Sequence, residues 1–175
     1  LVDAPEGLRL VDQHVAHERV LHDRIAARAG QAPESQQLLT PLIYETGAAE
    51  SAILASLVDE LRSVGFEIEP FSRNSFAVSS IPSILGRDTV EGFFRKLIDA
   101  SADEQGSHLA KVRDRVIASL ACQAAIKVHR PLSGAEMSQL VADLLVSSNP
   151  FACPHGRPII VDIRHIDVEK HFHRR

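Results

Sequence analysis

Three observations predict an α+β fold, or a two-layer α/β sandwich, for this chain. Stretches with helical apolar spacing and stretches that alternate are interspersed without the regular strand and helix succession of a parallel sheet. Of its 175 residues, 45% are hydrophobic and 24% charged, which supplies a core for one domain, or for one domain with a small inserted lobe around residues 46–109. No internal repeat or low-complexity tract points to a solenoid or a disordered segment.

The elements follow in order. Gly7-Leu8-Arg9-Leu10-Val11 alternates after the turn-forming Pro5-Glu6-Gly7 and reads as a strand, and Asp12 stands where a helix cap is wanted. A helical pattern runs from Gln13 to about Ala29 and closes at Gly30, before a loop over residues 31–35. Gln36 to Glu45 reads as extended, and Pro41 restricts it to an edge or a bent strand. Ile53, Leu54, Leu57, Val58, Leu61 and Val64 keep helical spacing up to Gly65. Phe66-Glu67-Ile68 and Phe76-Ala77-Val78 flank Ser72-Arg73-Asn74 as a hairpin. Val90, Phe93, Phe94, Leu97 and Ile98 make an amphipathic helix, followed by a polar break from Ala102 to Ser107. Lys111 to Val128 reads as one long helix rich in small residues. Ser133-Gly134-Ala135-Glu136 is a capping box that opens a helix ended by Asn149-Pro150. Ile159 to Ile163 is a short strand, and a last short helix leads to Phe172 and Arg174.

Charge and composition narrow the function. Lys+Arg number 19 against 23 Asp+Glu, a formal charge of −4, so a stand-alone module that grips nucleic acid through a broad basic surface is excluded. Aromatic residues are 5% with no Trp, too few for a platform that stacks single-stranded bases. No apolar run reaches the roughly 18 to 20 residues of a membrane span, and Leu1 opens no signal pattern. The absence of an initial Met, with a strand already under way, points to a piece of a longer protein. Two cysteines against nine histidines argue against a disulfide scaffold and for an intracellular protein.

Three constellations could carry chemistry. In Asp12-Gln13-His14-Val15-Ala16-His17-Glu18, His14 and Glu18 are four apart on the expected helix, about 40° apart around its axis, and share the face of Leu21 and Ile25. An imidazole and a carboxylate placed inward can chelate one ion; the alternative is a solvated first turn with a capping Asp. His17 and His22 lean away and read as surface residues. In Cys153-Pro154-His155-Gly156-Arg157-Pro158, Pro154 biases Cys153 toward extended chain, where residues two apart point the same way, so thiolate and imidazole converge. Cys-x-His suits zinc-like ions, with a structural turn and a buried Cys as the alternative. Cys122 lies on a flat helical face of small residues, where an ordinary core position is the plainer reading. Gln36-Gln37-Leu38-Leu39-Thr40-Pro41 reads either as an edge strand or as an exposed peptide plug. No phosphate-cradling Gly-rich loop and no Gly-x-Ser-x-Gly elbow is present.

Together these motifs resemble the C-terminal domain of the MutL family of DNA mismatch-repair proteins, in the subgroup that carries a latent endonuclease. Asp12 to Asp23 is similar to the family's DQHA, two residues, E, four residues, E, with Val15 for Ala and Asp23 for the closing Glu. Ala121-Cys122-Gln123 is similar to an ACR or ACK element with Gln in place of the cation. Cys153 to Pro158 matches CPHGRP, and Phe172-His173-Arg174 matches a closing FxR. The resemblance implies metal ligands at His14, Glu18, Cys122, Cys153 and His155, catalytic roles for Asp12, Glu18 and Arg174, and a phosphate contact at Arg157. It implies zinc as a regulatory or structural ion and manganese as the catalytic one, with ATP acting only through a preceding ATPase domain and linker. It places Gln36, Leu38, Leu39 and Pro41 against the replication sliding clamp. Further implied partners are a second copy of the chain, duplex DNA and, through the full-length protein, the mismatch-recognition protein MutS; no membrane is involved, and the setting is a bacterial cytoplasm at the nucleoid. The implied architecture is a dimerisation lobe of residues 1–45 and 110–175 with a smaller regulatory lobe of residues 46–109. The implied activity is nicking of one strand of duplex DNA. The alternative is a non-cleaving dimerisation and clamp-docking module with a structural zinc.

Overall fold

The computed structural model describes residues 1–28, 31–102 and 109–174. The fold is α+β, with two three-stranded antiparallel sheets among the described residues. Gly30, expected to close the first long helix, and residues 103–107 of the expected polar break lie outside the described residues.

Two compact units divide the chain, one of residues 1–23 and 125–175, the other of residues 24–124. The expected lobe boundaries, 45/46 and 109/110, both fall within the second of these units, which is the larger. The reason is pairing. Strand β3 (Ser35–Glu45), expected with the chain ends, hydrogen-bonds along β5 (Ser75–Pro82), and α5 (Leu109–Ala124) sends Val116, Ile117 and Leu120 into the same core.

In the unit of chain ends, β1 (Val2–Ala4), β2 (Gly7–Val11) and β6 (Ile160–Arg164) form a sheet with β2 in the centre. The pairing of β2 with β6 sets Leu8 opposite Ile163 and Leu10 opposite Val161. Directly opposed residues of an antiparallel pair share a face, so these four aliphatic side chains line one side of the sheet. Leu10 is 39% exposed and Val161 53%. Val11 and Ile160 instead pack on a small core of Val15, Ala16, Val20, Leu140, Leu144 and Ile159. Helix α1 (Gln13–Ala27) begins in this unit, and α6 (Gly134–Leu145) and α7 (His165–His171) complete it. The capping box forms as expected: the Ser133 hydroxyl accepts from the Glu136 N–H at 3.3 Å and the Glu136 carboxylate accepts from the Ser133 N–H at 2.8 Å.

The unit of residues 24–124 holds the sheet β3-β5-β4, with β4 spanning Glu67–Ser72. The sequence predicts one helix from Ile53 to Val64; the chain breaks at Leu57 into α2 (Ala48–Ser56) and α3 (Val58–Ser63). Leu57, at φ −103° and ψ −2°, stands at the junction as the C-terminal cap of one helix and the N-terminal cap of the next, and its buried side chain joins the core. Helix α4 (Val90–Ala102) contributes Phe93 and Phe94, whose rings lie 5.0 Å and 5.4 Å from Phe66. β3 is an edge strand that slips register between Gln37 and Leu42, as Pro41 demands of it.

Helix α5 also departs from expectation, ending at Ala124 rather than Val128. Residues 125–130 leave the helix because their backbone groups are taken by side chains of α1, as described below.

Candidate metal centre

The first turn of α1 is fixed by its cap. Asp12 Oδ1 accepts from the N–H groups of His14 (2.9 Å) and Val15 (3.1 Å), while the Asp12 N–H donates to the Ile159 carbonyl at 3.0 Å. This anchors α1 beside the strand that follows the Cys153 loop. Asp12 is exposed, and it is not among the donor groups that lie close enough together to hold one ion.

From that anchor the helical period turns Glu18 fully inward, at 0% exposure, beside buried Val15 and Ala16. Its carboxylate is satisfied on both oxygens. Oε1 lies 2.6 Å from His155 Nδ1, and Oε2 accepts from the Arg157 guanidinium at 2.6 Å. Cys153, also buried, brings its sulfur to the same place. Donor atoms of Glu18, Cys153 and His155 lie within 4.8 Å of one another, and a ring nitrogen of His14 lies within 4.8 Å of a Glu18 oxygen. The sequence therefore placed His14 and Glu18 correctly on one inward face.

Cys153 and His155 converge, but not through extended chain. The Gly156 N–H donates to the Cys153 carbonyl at 2.9 Å, closing a β-turn with Pro154 and His155 at its centre. Gly156, at φ +79°, adopts a left-handed conformation that a side chain would resist. The turn is clamped by the Cys153 N–H donating to the Arg157 carbonyl at 2.9 Å and by the Arg157 N–H reaching Cys153 Sγ at 3.3 Å. A second tie sits behind it. The Arg19 Nε donates to the Ala152 carbonyl at 2.8 Å, and the Ser148 N–H donates to Asp23 Oδ2 at 2.6 Å. Burial alone would raise the Asp23 carboxyl, but the bonds from the Ser148 N–H and hydroxyl, with His22 and Arg19 beside them, hold it below the usual carboxylate range. Asp23 thus braces the loop from behind, away from Glu18.

The donor chemistry suits a metal. A carboxylate, a thiol and an imidazole are among the ligand types of zinc sites. Among the described residues, this is where buried charge collects: Glu18 and Arg19 are the buried charged side chains.

The other expected site residues are placed as follows. Cys122 is a half-buried free thiol near the end of α5, in the unit of residues 24–124. Beside it, the Gln123 amide donates to the Thr89 carbonyl (3.2 Å) and accepts from Lys96 (3.0 Å), which ties α5 to α4. Arg174 is exposed beyond α7, where its N–H donates to the Glu169 carbonyl at 3.1 Å. In β3, the Gln36 side chain donates to the Leu85 carbonyl at 2.7 Å and Leu38 packs on the core, whereas Leu39 is fully exposed and Pro41 exposed.

One expected residue has a further contact, and one reading needs correction. Arg157, expected only as a phosphate contact, spends part of its guanidinium on Glu18. His17 and His22, expected at the surface, are half-buried: His17 Nδ1 accepts from the Ile126 N–H at 3.0 Å, and His22 Nδ1 lies 3.3 Å from Asp23. Gln13, passed over in the motif, donates to the carbonyls of Lys127, Val128 and Arg130. Its position directly after a helix cap was the available signal, since the first turn is where side chains can meet backbone outside the helix.

Comparison with known proteins shows the family. Residues 1–132 match the family described as "MutL C terminal dimerisation domain". The chain is 39% identical over 176 residues to the DNA mismatch repair protein MutL of Koribacter versatilis, covering 99% of this chain and 27% of that protein. It is 37% identical over 171 residues to MutL of Solibacter usitatus, covering 97% and 26%, and 35% identical over 175 residues to MutL of Methanothrix thermoacetophila, covering 100% and 31%. The chain therefore spans roughly a quarter to a third of the length of these relatives. The Cys153 loop lies beyond the family match but within the stretch aligned to the relatives.

Proposed function

Because the chain belongs to the MutL C-terminal dimerisation family of mismatch-repair proteins, we propose that it is the self-associating part of a MutL-type protein and carries a metal-dependent endonuclease site that nicks one strand of duplex DNA. The observation that carries the proposal is the fully buried Glu18 carboxylate with the Cys153 thiol and the His155 imidazole around it. A buried carboxylate is costly unless a cation or several donors meet it; Arg157 and His155 meet this one, and the neighbouring thiol adds a ligand type that an ion pair alone does not use.

His14, Glu18, Cys153 and His155 would hold the ions, with Cys122 joining them on the strength of its motif. Zinc suits the thiolate and imidazoles, and manganese suits carboxylates, with Asp12 as the second one. A bound ion supplies an acidified water and charge neutralisation on the phosphate. Glu18 would orient what binds, with its Oε1 beside His155 and its Oε2 held by Arg157. The half-exposed guanidinium of Arg157 and the exposed Arg174 would meet the phosphate backbone as charge-assisted donors. With net charge −4, the domain depends on delivery to DNA rather than on its own affinity.

Self-association would use the aliphatic sheet face of Leu8, Leu10, Val161 and Ile163. Docking on a sliding clamp would use Leu39 and Pro41 at the slipped register of β3, with Gln36 and Leu38 holding the strand in place. In the full-length protein these contacts would act together with an ATPase domain and the mismatch-recognition protein.

A non-cleaving module with a structural zinc is the second reading, favoured by Asp12, whose Oδ1 is already committed to two helix N–H groups. Nicking of supercoiled DNA in the presence of manganese and clamp separates the two. Activity that is lost in both Asp12→Asn and Glu18→Gln supports the endonuclease. One tightly held zinc with no manganese-dependent nicking by the parent supports the docking module.

A further inference from the structure

Directly after Ala124 the chain leaves its helix, and Ile126 gives both of its backbone polar groups to imidazoles of α1. Its N–H donates to His17 Nδ1 at 3.0 Å, and its carbonyl lies 2.8 Å from His14 Nδ1. An amide N–H only donates, so Nδ1 is the bare nitrogen of His17. A carbonyl only accepts, so His14 must carry its proton on Nδ1 and present the lone pair on Nε2. Two imidazoles three residues apart on one helix are thus held in opposite tautomers by the backbone of a single residue.

The segment that does this is itself pinned. The Gln13 amide nitrogen donates to the carbonyls of Lys127 (3.2 Å), Val128 (3.2 Å) and Arg130 (2.7 Å). Inside the loop, the Arg130 N–H returns to the Lys127 carbonyl at 3.0 Å. Residues 126–130 have no ladder or helix of their own and curl around one amide group. Only a donor at that point can satisfy three converging carbonyl dipoles.

We infer that Gln13 and His17 are positioning residues for His14: they hold Ile126 where its carbonyl fixes His14 as the Nδ1–H tautomer and leaves Nε2 free to bind a divalent cation. This rests on the proposal above that His14 is a ligand, for which its closeness to Glu18 is the structural support. A ligating imidazole whose second nitrogen donates to a backbone carbonyl has its ring orientation and tautomer set in advance, and losing such an outer contact costs about 10–100-fold in metal affinity.

The test uses the 175-residue chain labelled with 15N. Histidine tautomers are read from long-range 1H–15N spectra, and zinc affinity from competition with a chromophoric chelator. Gln13→Glu keeps the shape but replaces the donor by an acceptor, and its expected result is a zinc affinity lowered about 10–100-fold with a mixed His14 tautomer. Gln13→Lys restores N–H donors and should return the affinity to within about threefold of the parent. Parental affinity and an unchanged Nδ1–H His14 in Gln13→Glu would overturn the inference. Should Gln13→Glu fail to fold, the parent decides: a His14 proton on Nδ1 sustains the inference and one on Nε2 overturns it. His14→Ala tells the two layers apart. Unchanged zinc affinity there removes His14 from the ligand set, whereas a loss in His14→Ala without one in Gln13→Glu removes only the positioning role.

Discussion

The two compact units are built on opposite principles. The unit of residues 24–124 closes over a continuous apolar core in which Phe66, Phe93 and Phe94 pack ring against ring, and its buried polar side chains are serines. The unit of chain ends has a small aliphatic core and buries Glu18 and Arg19 beside it. Burying those charges costs free energy that apolar packing of the same volume would not. Glu18 is met there by Arg157 and His155, so the contrast is between a unit held by apolar packing and one that buries an ion pair beside its core.

The contrast can be broken most severely in the apolar unit. Phe93→Ala removes a fully buried ring and is expected to lower stability by about 3–5 kcal/mol in urea unfolding, with zinc stoichiometry unchanged wherever the chain stays folded. Glu18→Ala should lose less, about 1–3 kcal/mol, because Arg157 can turn to water. Its zinc content, measured by mass spectrometry of metals after dialysis, should nevertheless fall to background. If the two variants exchanged these signatures, the division would be wrong.

Asp23 sharpens the comparison through pH. Its carboxyl titrates lower in the folded chain than in the unfolded one, so it contributes stability above the ordinary carboxylate range that is lost as pH falls through the folded value. Asp23→Asn is therefore expected to cost about 1–2 kcal/mol at pH 7 and almost nothing near pH 2, in parallel urea titrations. A cost that did not shrink with acid would mean that the Ser148 brace does not depend on charge.

The smallest effects on stability belong to the exposed apolar residues. Leu10→Glu and Leu39→Ala should each change unfolding free energy by no more than about 0.5 kcal/mol. Their effects should appear in assembly instead: Leu10→Glu should sediment as a monomer, and Leu39→Ala should lose clamp binding while still self-associating. A Leu10→Glu chain that remained dimeric would exclude the β2–β6 face as the contact.

What the sequence made legible was local. The Asp12 cap, the Ser133–Glu136 box and the inward turn of Glu18 follow from spacing within one helix, and all three are present. The Cys153 turn was half legible: thiol and imidazole do converge, through Pro154 and Gly156 in a turn rather than through extended chain. What stayed hidden depends on partners far away in sequence. Arg157 meets Glu18 across 139 residues, and nothing near either residue announces it. Helix α5 stops at Ala124 although the following residues keep helical composition, because Gln13, His14 and His17 take up the backbone of residues 126–130. His17 was misplaced at the surface for the same reason, since its acceptor role exists only once that segment arrives.

The central claim is that Glu18, Cys153 and His155 form one metal centre. Crystals of the chain soaked in zinc and measured on both sides of the zinc absorption edge test it most directly. An anomalous peak within bonding distance of Cys153 Sγ, a His155 ring nitrogen and a Glu18 oxygen is the predicted result. Zinc sites elsewhere on the surface, with no peak at those three residues, would contradict it.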